Sequence, residues 1–445
     1  MKVAVFGCGY VGLTSGACLA AKGHRVTAVD IDPAVVAALK TGTPHIHEPG
    51  LAELLVEVLT TGHLAATTDL ASALEDAEIA MLAVGTPSRD GAIDLTAIRK
   101  LARDIGGWLR TRDRFLAIVV KSTVVPGTTD TVIRGEIEAA SGKRLGEFGL
   151  AMNPEFLREG QAVADFMAPD RIVLGHDDPR SLELLERLYA PWDCDKLRVN
   201  SRTAELIKYA SNALLAVQIS AANEIANLAA AMGGIDAMDV MKGVHLDRRW
   251  NPIVDGNRVA PGILSYLLPG PGFGGSCLPK DLEALVAAGR NLGLPMAMTE
   301  ATLAVNRAQP RQVIAILERA LGDLAGVRVL VLGLAFKPGT DDMRDSPSIR
   351  IIELLLEKGA RVSVHDPLAM ANFRREMGQR AANLATVEKW QAAVADSAVV
   401  IIVTKWSDYE ALATMDLAGK TLLDARRVFR PGVIGRAKYL AVGRS

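Results

Sequence analysis

Four stretches of the chain concentrate side chains able to do covalent or acid–base chemistry. GFGGSCLPKD (272–281) sets the thiol of Cys277 between three glycines and the charged residues Lys280 and Asp281. Backbone N–H groups and a nearby ammonium favour the thiolate, the nucleophilic form. Taken alone, a single cysteine in a glycine-rich loop is better read as a packed thiol. NPEFLREG (153–160) spaces Glu155 and Glu159 four apart, so a helical segment would turn both the same way. One of them would act as a base or hold a water; the competing reading is a solvated helix start. Glu205, Lys208 and Asn212 fall at i, i+3 and i+7 of a long helical pattern. A lysine beside a reacting alcohol stabilises a developing alkoxide and an asparagine orients it, though Lys-x-x-x-Asn alone is not specific. GLAFKPGTDDMRDSP (333–347) carries Lys337 and Arg344 after an apolar run. Those charges suit a phosphorylated ligand, or a surface balanced by Asp341, Asp342 and Asp345.

A redox partner for such a thiol is written into the N-terminus. VAVFGCGYVG holds Gly7, Gly9 and Gly12 in G-x-G-x-x-G spacing, after an apolar strand and at the start of a helix, and Asp30 closes the next strand. Gly7 would allow a tight turn and Gly9 a close approach to a pyrophosphate. Gly12 would let the helix sit against the strand, its N-terminus facing the negative charge. Asp30 would accept hydrogen bonds from an adenosine ribose and repel a 2′-phosphate, which favours NAD over NADP. VGTP (84–87) and KSTV (121–124) end later strands. Thr86 and Thr123 are candidate cofactor contacts there, or simply residues that end strands. A hydride acceptor beside a thiol suggests a particular oxidation. Hydride loss from an alcohol gives an aldehyde, the thiolate captures it as a thiohemiacetal, a second hydride loss leaves a thioester, and water releases a carboxylate.

These residues need a scaffold. Short apolar runs followed by turn residues and helical segments recur at 2–7, 25–30, 79–87, 116–124 and 149–155, with a further strand at 171–176. That alternation predicts a doubly wound parallel sheet over residues 1–200, the dinucleotide-binding domain. Residues 202–233 contain no proline and no glycine until their end. They predict one helix, capped by Ser201 and stopped by Gly233. Its length exceeds a domain diameter, so it should join two domains, and its apolar surface should hold a dimer. With the mostly helical segment that follows, interrupted over 251–275, it makes a central domain at 201–310. A second alternating set at 327–336, 360–367, 398–406 and 421–426 predicts a C-terminal α/β domain at 311–445. The fold class is α/β: two doubly wound domains joined by a long central helix and a helical middle domain.

With 50 basic and 51 acidic residues, the chain gives no reason to expect nucleic acid or a membrane surface as partner. No secretory leader and no uninterrupted apolar run of bilayer length are visible, so a cytoplasmic protein is expected. Cys8, Cys18, Cys194 and Cys277 form no C-x-x-C pair, so no metal site is expected, and a reducing cytoplasm disfavours disulfides. Cys8 and Cys18 read as small buried hydrophobes.

In this order, GCGYVG, VGTP, KSTV, NPEFLREG, AELIKYASNA, GFGGSCLPKD and GLAFKPGTDDMRDSPS resemble the nucleotide-sugar dehydrogenases, the UDP-glucose/GDP-mannose dehydrogenase family, over nearly the whole chain. The resemblance implies Rossmann-like domains at both ends, NAD as cofactor, a nucleotide-sugar substrate and a homodimer. It implies Cys277 as nucleophile, with Lys208, Asn212 and Asp281 around it stabilising oxyanions and positioning water. Glu155 would serve the thioester steps, and Glu159 and Thr123 would border nicotinamide and water. Gly7, Gly9, Tyr10, Val11, Gly12, Asp30, Gly85, Thr86, Lys280 and Arg344 would meet the cofactor. Phe156, Leu157, Phe273 and Gly274 would line the sugar nucleotide, and Lys337 would contact its diphosphate region. Arg249, in LDRRW, would be supplied by a partner subunit. FLREG, GVHLDRR and TDDMRDSPS look like the UDP-glucose branch, whereas Phe273 and Leu278 look like the GDP-mannose branch. The stretch 250–269 is longer than the first branch leads one to expect. UDP-glucose going to UDP-glucuronate is the expectation and GDP-mannose the alternative. A two-electron hydroxyacid dehydrogenase and a non-catalytic nucleotide-binding protein are further readings; neither needs Cys277.

Overall fold

A computed structural model describes residues 1–89 and 91–444. The chain packs as two compact units, Met1–Ser211 and Asn212–Ser445.

In the first unit, β1 (Lys2–Phe6), β2 (Arg25–Val29), β3 (Leu64–Thr67), β4 (Ile79–Leu82), β5 (Ala117–Val120), β6 (Gly149–Met152), β7 (Arg171–His176) and β8 (Asp195–Val199) form one sheet. Its order is β8-β7-β6-β5-β4-β1-β2-β3. β1 to β6 run parallel, while β7 is antiparallel to β6 and carries β8 beside it. Every residue of β4, β5 and β6 is buried, which explains their unbroken apolar runs: a strand covered on both faces has no polar side to alternate with. β3 and the largely charged edge strand β8 have no such run, and the sequence pattern does not announce them. The chain winds from β1 to β2 and β3 on one side, then resumes with β4 on the other. The crevice of a doubly wound sheet opens at that reversal.

In the second unit, β9 (Arg328–Leu332), β10 (Arg361–His365), β11 (Ala385–Thr386), β12 (Val399–Ile402), β13 (Thr421–Asp424) and β14 (Lys438–Ala441) make a wholly parallel sheet, ordered β11-β10-β9-β12-β13-β14. Its first turn repeats that of the first unit. Gly7 and Gly333 have φ of 91° and 90°, and each donates its N–H to the neighbouring strand, at Val29 and His365 respectively. The following carboxylates differ. Asp30 accepts from the N–H groups of Cys8 and Asp32. Asp366 is 2% exposed and accepts from Leu334, Ala335, Leu368, Ala369 and the Trp406 indole. That carboxylate is fully engaged and cannot receive a ribose diol.

Helix α1 (Tyr10–Ala21) follows β1, and α2 (Ser201–Met232) carries the chain from the first unit into the second. The α2 cap is Asn200 rather than Ser201: Asn200 Oδ1 accepts the Thr203 N–H at 2.8 Å, while the buried Ser201 hydroxyl has no hydrogen-bond partner among the described residues. Gly233, at φ 75°, ends the helix, a backbone conformation that glycine adopts at no steric cost. By length and composition α2 is the one helix among the described residues that could cross a bilayer, although polar and charged residues interrupt its apolar positions. Leu214, Ile225, Leu228 and Met232 are exposed on it and recur on one face. After α3 (Ala237–His245), residues 253–258 form a small hairpin. Helices α4 (Leu278–Asn291) and α5 (Ala297–Leu321) precede the second sheet.

Candidate active site

Glycine geometry makes the crevice of the first unit. A Cβ on Gly7 would lie 2.9 Å from Ala83 and Val84, and one on Gly12 would lie 1.8 Å from the Gly7 carbonyl oxygen. These two positions need glycine for packing. Gly9, the N-cap of α1, is different: its Cβ position meets nothing within 4 Å. Open space at a helix N-terminus, where N–H groups are unpaired, fits a pyrophosphate. Tyr10 and Val11 begin α1, and Asp30 stands half-buried after β2. Thr86 donates to the Thr123 carbonyl at 2.7 Å and Ser122 to the Val84 carbonyl at 2.7 Å. These bonds tie the chain ends leaving β4 and β5. Gly85 between them also has open Cβ space. Burial pushes the Cys8 and Cys18 thiols up to about 12, in keeping with packed hydrophobes.

Beyond β6, residues 153–158 form a loop, so Glu155 and Glu159 do not share a helix face. Glu155 Oε1 lies 2.7 Å from Lys208 Nζ in a pair whose side chains are only 6% and 4% exposed. Glu155 Oε2 accepts the Leu157 N–H at 2.7 Å. Burial pushes this carboxyl up, but the charge and hydrogen bond of Lys208, the Leu157 N–H and the charge of Lys121 together hold it below its ordinary value. Lys121 was not singled out from the sequence, although it stands inside KSTV. Its Nζ donates to Asn153 Oδ1 at 2.7 Å, where the Tyr189 hydroxyl also donates. Burial pushes Lys121 down to about 8, against the pull of Glu155. The Phe156 ring lies under the Arg171 guanidinium at 4.1 Å, and Leu157 packs onto the sheet. Lys121, Glu155, Phe156, Arg171, Tyr189 and Trp192 help line a cavity of about 130 Å³. Glu205 is not part of this cluster. Its carboxylate accepts from Gly127 and Thr129 at 2.6 and 2.8 Å and holds the π-helical turn Thr128–Ile133.

In the second unit, Cys277 is the N-cap of α4. A helix N-terminus carries partial positive charge and favours a thiolate. Cys277 Sγ lies 3.5 Å from Ser276 Oγ. One turn on, Asp281 is 1% exposed and accepts from Asn212 Nδ2 at 2.6 Å and Lys280 Nζ at 2.7 Å. Side-chain amides fix the thiol loop. Asn306 bonds to both the N–H and the carbonyl of Phe273, while Asn223 and Gln309 take the N–H and carbonyl of Gly270. A Cβ on Gly274 would lie 2.2 Å from the Asp345 carbonyl oxygen, so this glycine serves close packing. The Phe273 side chain is buried among Ala216, Leu282, Val286 and Leu303, with Leu278 packed on the same cluster. The Phe273 side chain is therefore part of an apolar cluster, where the sequence placed it along the sugar nucleotide.

Lys337 is half-buried, its Nζ 5.6 Å from the Phe336 ring centroid. Arg344 is paired with Asp342, one of the acidic residues expected to balance it. Arg249 is exposed and paired with Asp247. Sequence reasoning missed Arg426. It donates to the carbonyls of Val403 and Phe336 at 2.8 and 3.2 Å, and burial pushes the guanidinium down to about 10. A half-buried cation bonded to carbonyls, without a carboxylate partner among the described residues, suits an anion. Its available signal was a cation just past a buried strand, in LLDAR.

Models of one family match three successive stretches: the NAD binding domain of the UDP-glucose/GDP-mannose dehydrogenase family over 1–193, its central domain over 202–308 and its UDP binding domain over 330–431. The chain belongs to this family. It is 42% identical to a UDP-glucose 6-dehydrogenase of Haloferax volcanii, over 96% of this chain and 97% of that one. It is 36% identical to a GDP-mannose 6-dehydrogenase of Pseudomonas syringae pv. syringae, over 95% of each. The structure of a UDP-glucose dehydrogenase from Pyrobaculum islandicum superposes with a TM-score of 0.90 at 42% identity, covering 100% of this chain and 98% of that one. The protein is an NAD-dependent nucleotide-sugar dehydrogenase.

Two predictions test this geometry. Gly9→Ala keeps the parent's Tm but loses NADH binding in a fluorescence titration, whereas Gly12→Ala loses both. Lys208→Met leaves a buried carboxylate unpaired and lowers stability by about 3–5 kcal/mol in urea unfolding. Adding Glu155→Gln recovers most of that stability without recovering turnover. The sign with pH follows from the lowered Glu155 value. Its contribution is full above the unfolded carboxyl's value and is lost as pH falls through the lower folded one.

Proposed function

We propose that the protein oxidises UDP-glucose to UDP-glucuronate, consuming two NAD and one water and releasing two NADH. Bound NAD supplies the hydride acceptor for both oxidations. The alcohol gives its proton to water, Lys208 stabilises the alkoxide that forms, and loss of the first hydride from its carbon gives the aldehyde. Cys277 Sγ then bonds to the aldehyde carbon, and Lys208 with Asn212 holds the resulting oxyanion. Loss of a second hydride leaves a thioester on Cys277. Water positioned by Asp281 and Glu155 attacks it, the C–S bond breaks, and the thiolate returns to the N-terminus of α4. The observation that carries this reading is Cys277 at that N-terminus, one turn from an Asp281 fixed by Asn212 and Lys280. Lys208 and Asn212 stand one turn apart on α2.

Lys337 and Arg426 would meet the diphosphate. Phe156 and Leu157 would line the sugar, Glu159 and Thr123 would border the nicotinamide, and Lys280 and Arg344 would approach the cofactor. The choice of UDP-glucose over GDP-mannose is supported by the higher identity to a UDP-glucose 6-dehydrogenase, 42% against 36%. Phe273 and Leu278, the residues that look like the GDP-mannose branch, pack on the cluster of Ala216, Leu282, Val286 and Leu303. The apolar stripe on α2 would form a homodimer, in which the exposed Arg249 would serve the partner's site, and the assembly would be cytoplasmic. The second unit would divide into a central part to residue 310 and a UDP-binding part beyond it.

Parent enzyme yields two NADH per UDP-glucose by absorbance, and turns it over faster than GDP-mannose, UDP-galactose or UDP-N-acetylhexosamines. Cys277→Ser abolishes net oxidation and keeps UDP-glucose binding. One NADH per sugar, with free aldehyde or ketone as product, would exclude the covalent route, and faster GDP-mannose turnover would reassign the substrate. For the dimer, Leu228→Glu converts the sedimenting species to monomer; a parent already monomeric at micromolar concentration would contradict it.

A further inference from the structure

Glu48 lies in the HEPG stretch (47–50), is 6% exposed and takes no part in the chemistry above. Its Oε2 accepts the Gly160 N–H at 2.7 Å and the Tyr10 hydroxyl, and its Oε1 accepts the Ala162 N–H at 2.7 Å. The Gly160 N–H also reaches the Tyr10 hydroxyl oxygen at 2.8 Å, across 150 residues of chain. Tyr10 directly follows Gly9, whose open Cβ space is the mark of the dinucleotide turn. Gly160 closes the loop that starts at Glu155 and contains Glu159. One carboxylate therefore bonds to the cofactor turn and to the end of the catalytic loop.

A buried carboxylate is costly without its donors. Pulling either segment away strands Glu48, so the two segments hold or shift together. Phe166 belongs to the short helix Ala162–Met167, which begins at the Ala162 N–H, and it is buried in the core of the sheet. The clamp is thereby anchored on its loop side. We propose that Glu48 is a positioning residue that couples NAD binding at the start of α1 to the ordering of residues 155–162. Cofactor and sugar nucleotide then bind with positive cooperativity, because the first ligand has already ordered part of what the second must order. The sugar half of this coupling rests on the proposed substrate; the cofactor half does not.

Hydrogen–deuterium exchange of the peptide spanning 153–165, with and without NADH, tests the cofactor half without turnover. In the parent, NADH slows exchange there about tenfold, and UDP-glucose tightens NADH binding in a fluorescence titration. In Glu48→Gln, NADH still binds, the protection disappears and the tightening ratio falls to one. An amide offers only one acceptor oxygen to donors that reach both sides of the carboxylate. Tyr10→Phe removes the hydroxyl but leaves the Glu48 bonds to Gly160 and Ala162, and it loses part of both effects. It carries the test if Glu48→Gln does not fold. Protection by NADH that persists undiminished in these variants overturns the proposal, as does a parent loop that NADH does not protect. A Glu48→Gln protein that loses only Tm, with coupling intact, also overturns it by showing a purely structural role. If NADH protects the parent loop but UDP-glucose, shown by turnover to be the substrate, leaves NADH binding unchanged, the cooperativity is overturned; if UDP-glucose is not turned over, the substrate reading fails and the cofactor half stands.

Discussion

The chemistry of the first unit depends on keeping one carboxylate ionised out of water. Glu155 has almost no solvent, and burial alone would push it to the neutral acid. Lys208 at 2.7 Å reverses that. Lys121 assists from the far end of β5, while its own proton is loosened by the same burial. The two lysines disfavour each other's charge, and each is stabilised by the carboxylate they share. Asn153 fixes one of them through a hydrogen bond, and a long helix fixes the other. Removing any member leaves a charge that the protein interior cannot solvate, so the loop from Asn153 to Leu157 is held by electrostatics as much as by packing.

The two sheets show one turn put to two uses. Both begin with a strand, a glycine at φ near 90° and an aspartate at the end of the adjacent strand. In the first unit the turn stays open: Gly9 leaves room and Asp30 stands half-buried at the rim. In the second, Ala335 replaces the second glycine, and Asp366 is covered by Trp406 and the backbone. The second crevice offers a half-buried guanidinium, Arg426, instead of an open helix N-terminus. Architecture is repeated, but the ligand chemistry is set by which polar groups remain unsatisfied.

The thiol loop depends on amide side chains rather than on secondary structure. Asn306 imitates a neighbouring strand toward Phe273, and Asn223 with Gln309 does the same for Gly270. These bonds satisfy backbone groups that a buried loop would otherwise leave unpaired. They also keep Cys277 in register with the first turn of α4. The Phe273 side chain is thereby directed into its apolar cluster.

Much of this protein is legible in its sequence. Strands buried on both faces write continuous apolar runs, so β4, β5 and β6 are visible without coordinates. Glycines forced by close contact write a fixed spacing, so the turn after β1 is visible too. Cys277, Lys208 and Glu155 stand in short motifs of unusual composition. What stays hidden depends on distant partners. The Glu155–Lys208 pair closes across 53 residues and the Glu48–Gly160 bond across 112, and neither leaves a local period. The edge strands β3 and β8 hide because a short, partly exposed strand has no apolar run to show. Cap choice at Asn200, the inward turn of Phe273 and the carbonyl-bonded guanidinium of Arg426 were likewise decided by tertiary packing. A sequence records the type of each side chain; only the folded chain settles which charges lose their water and which groups must then satisfy them.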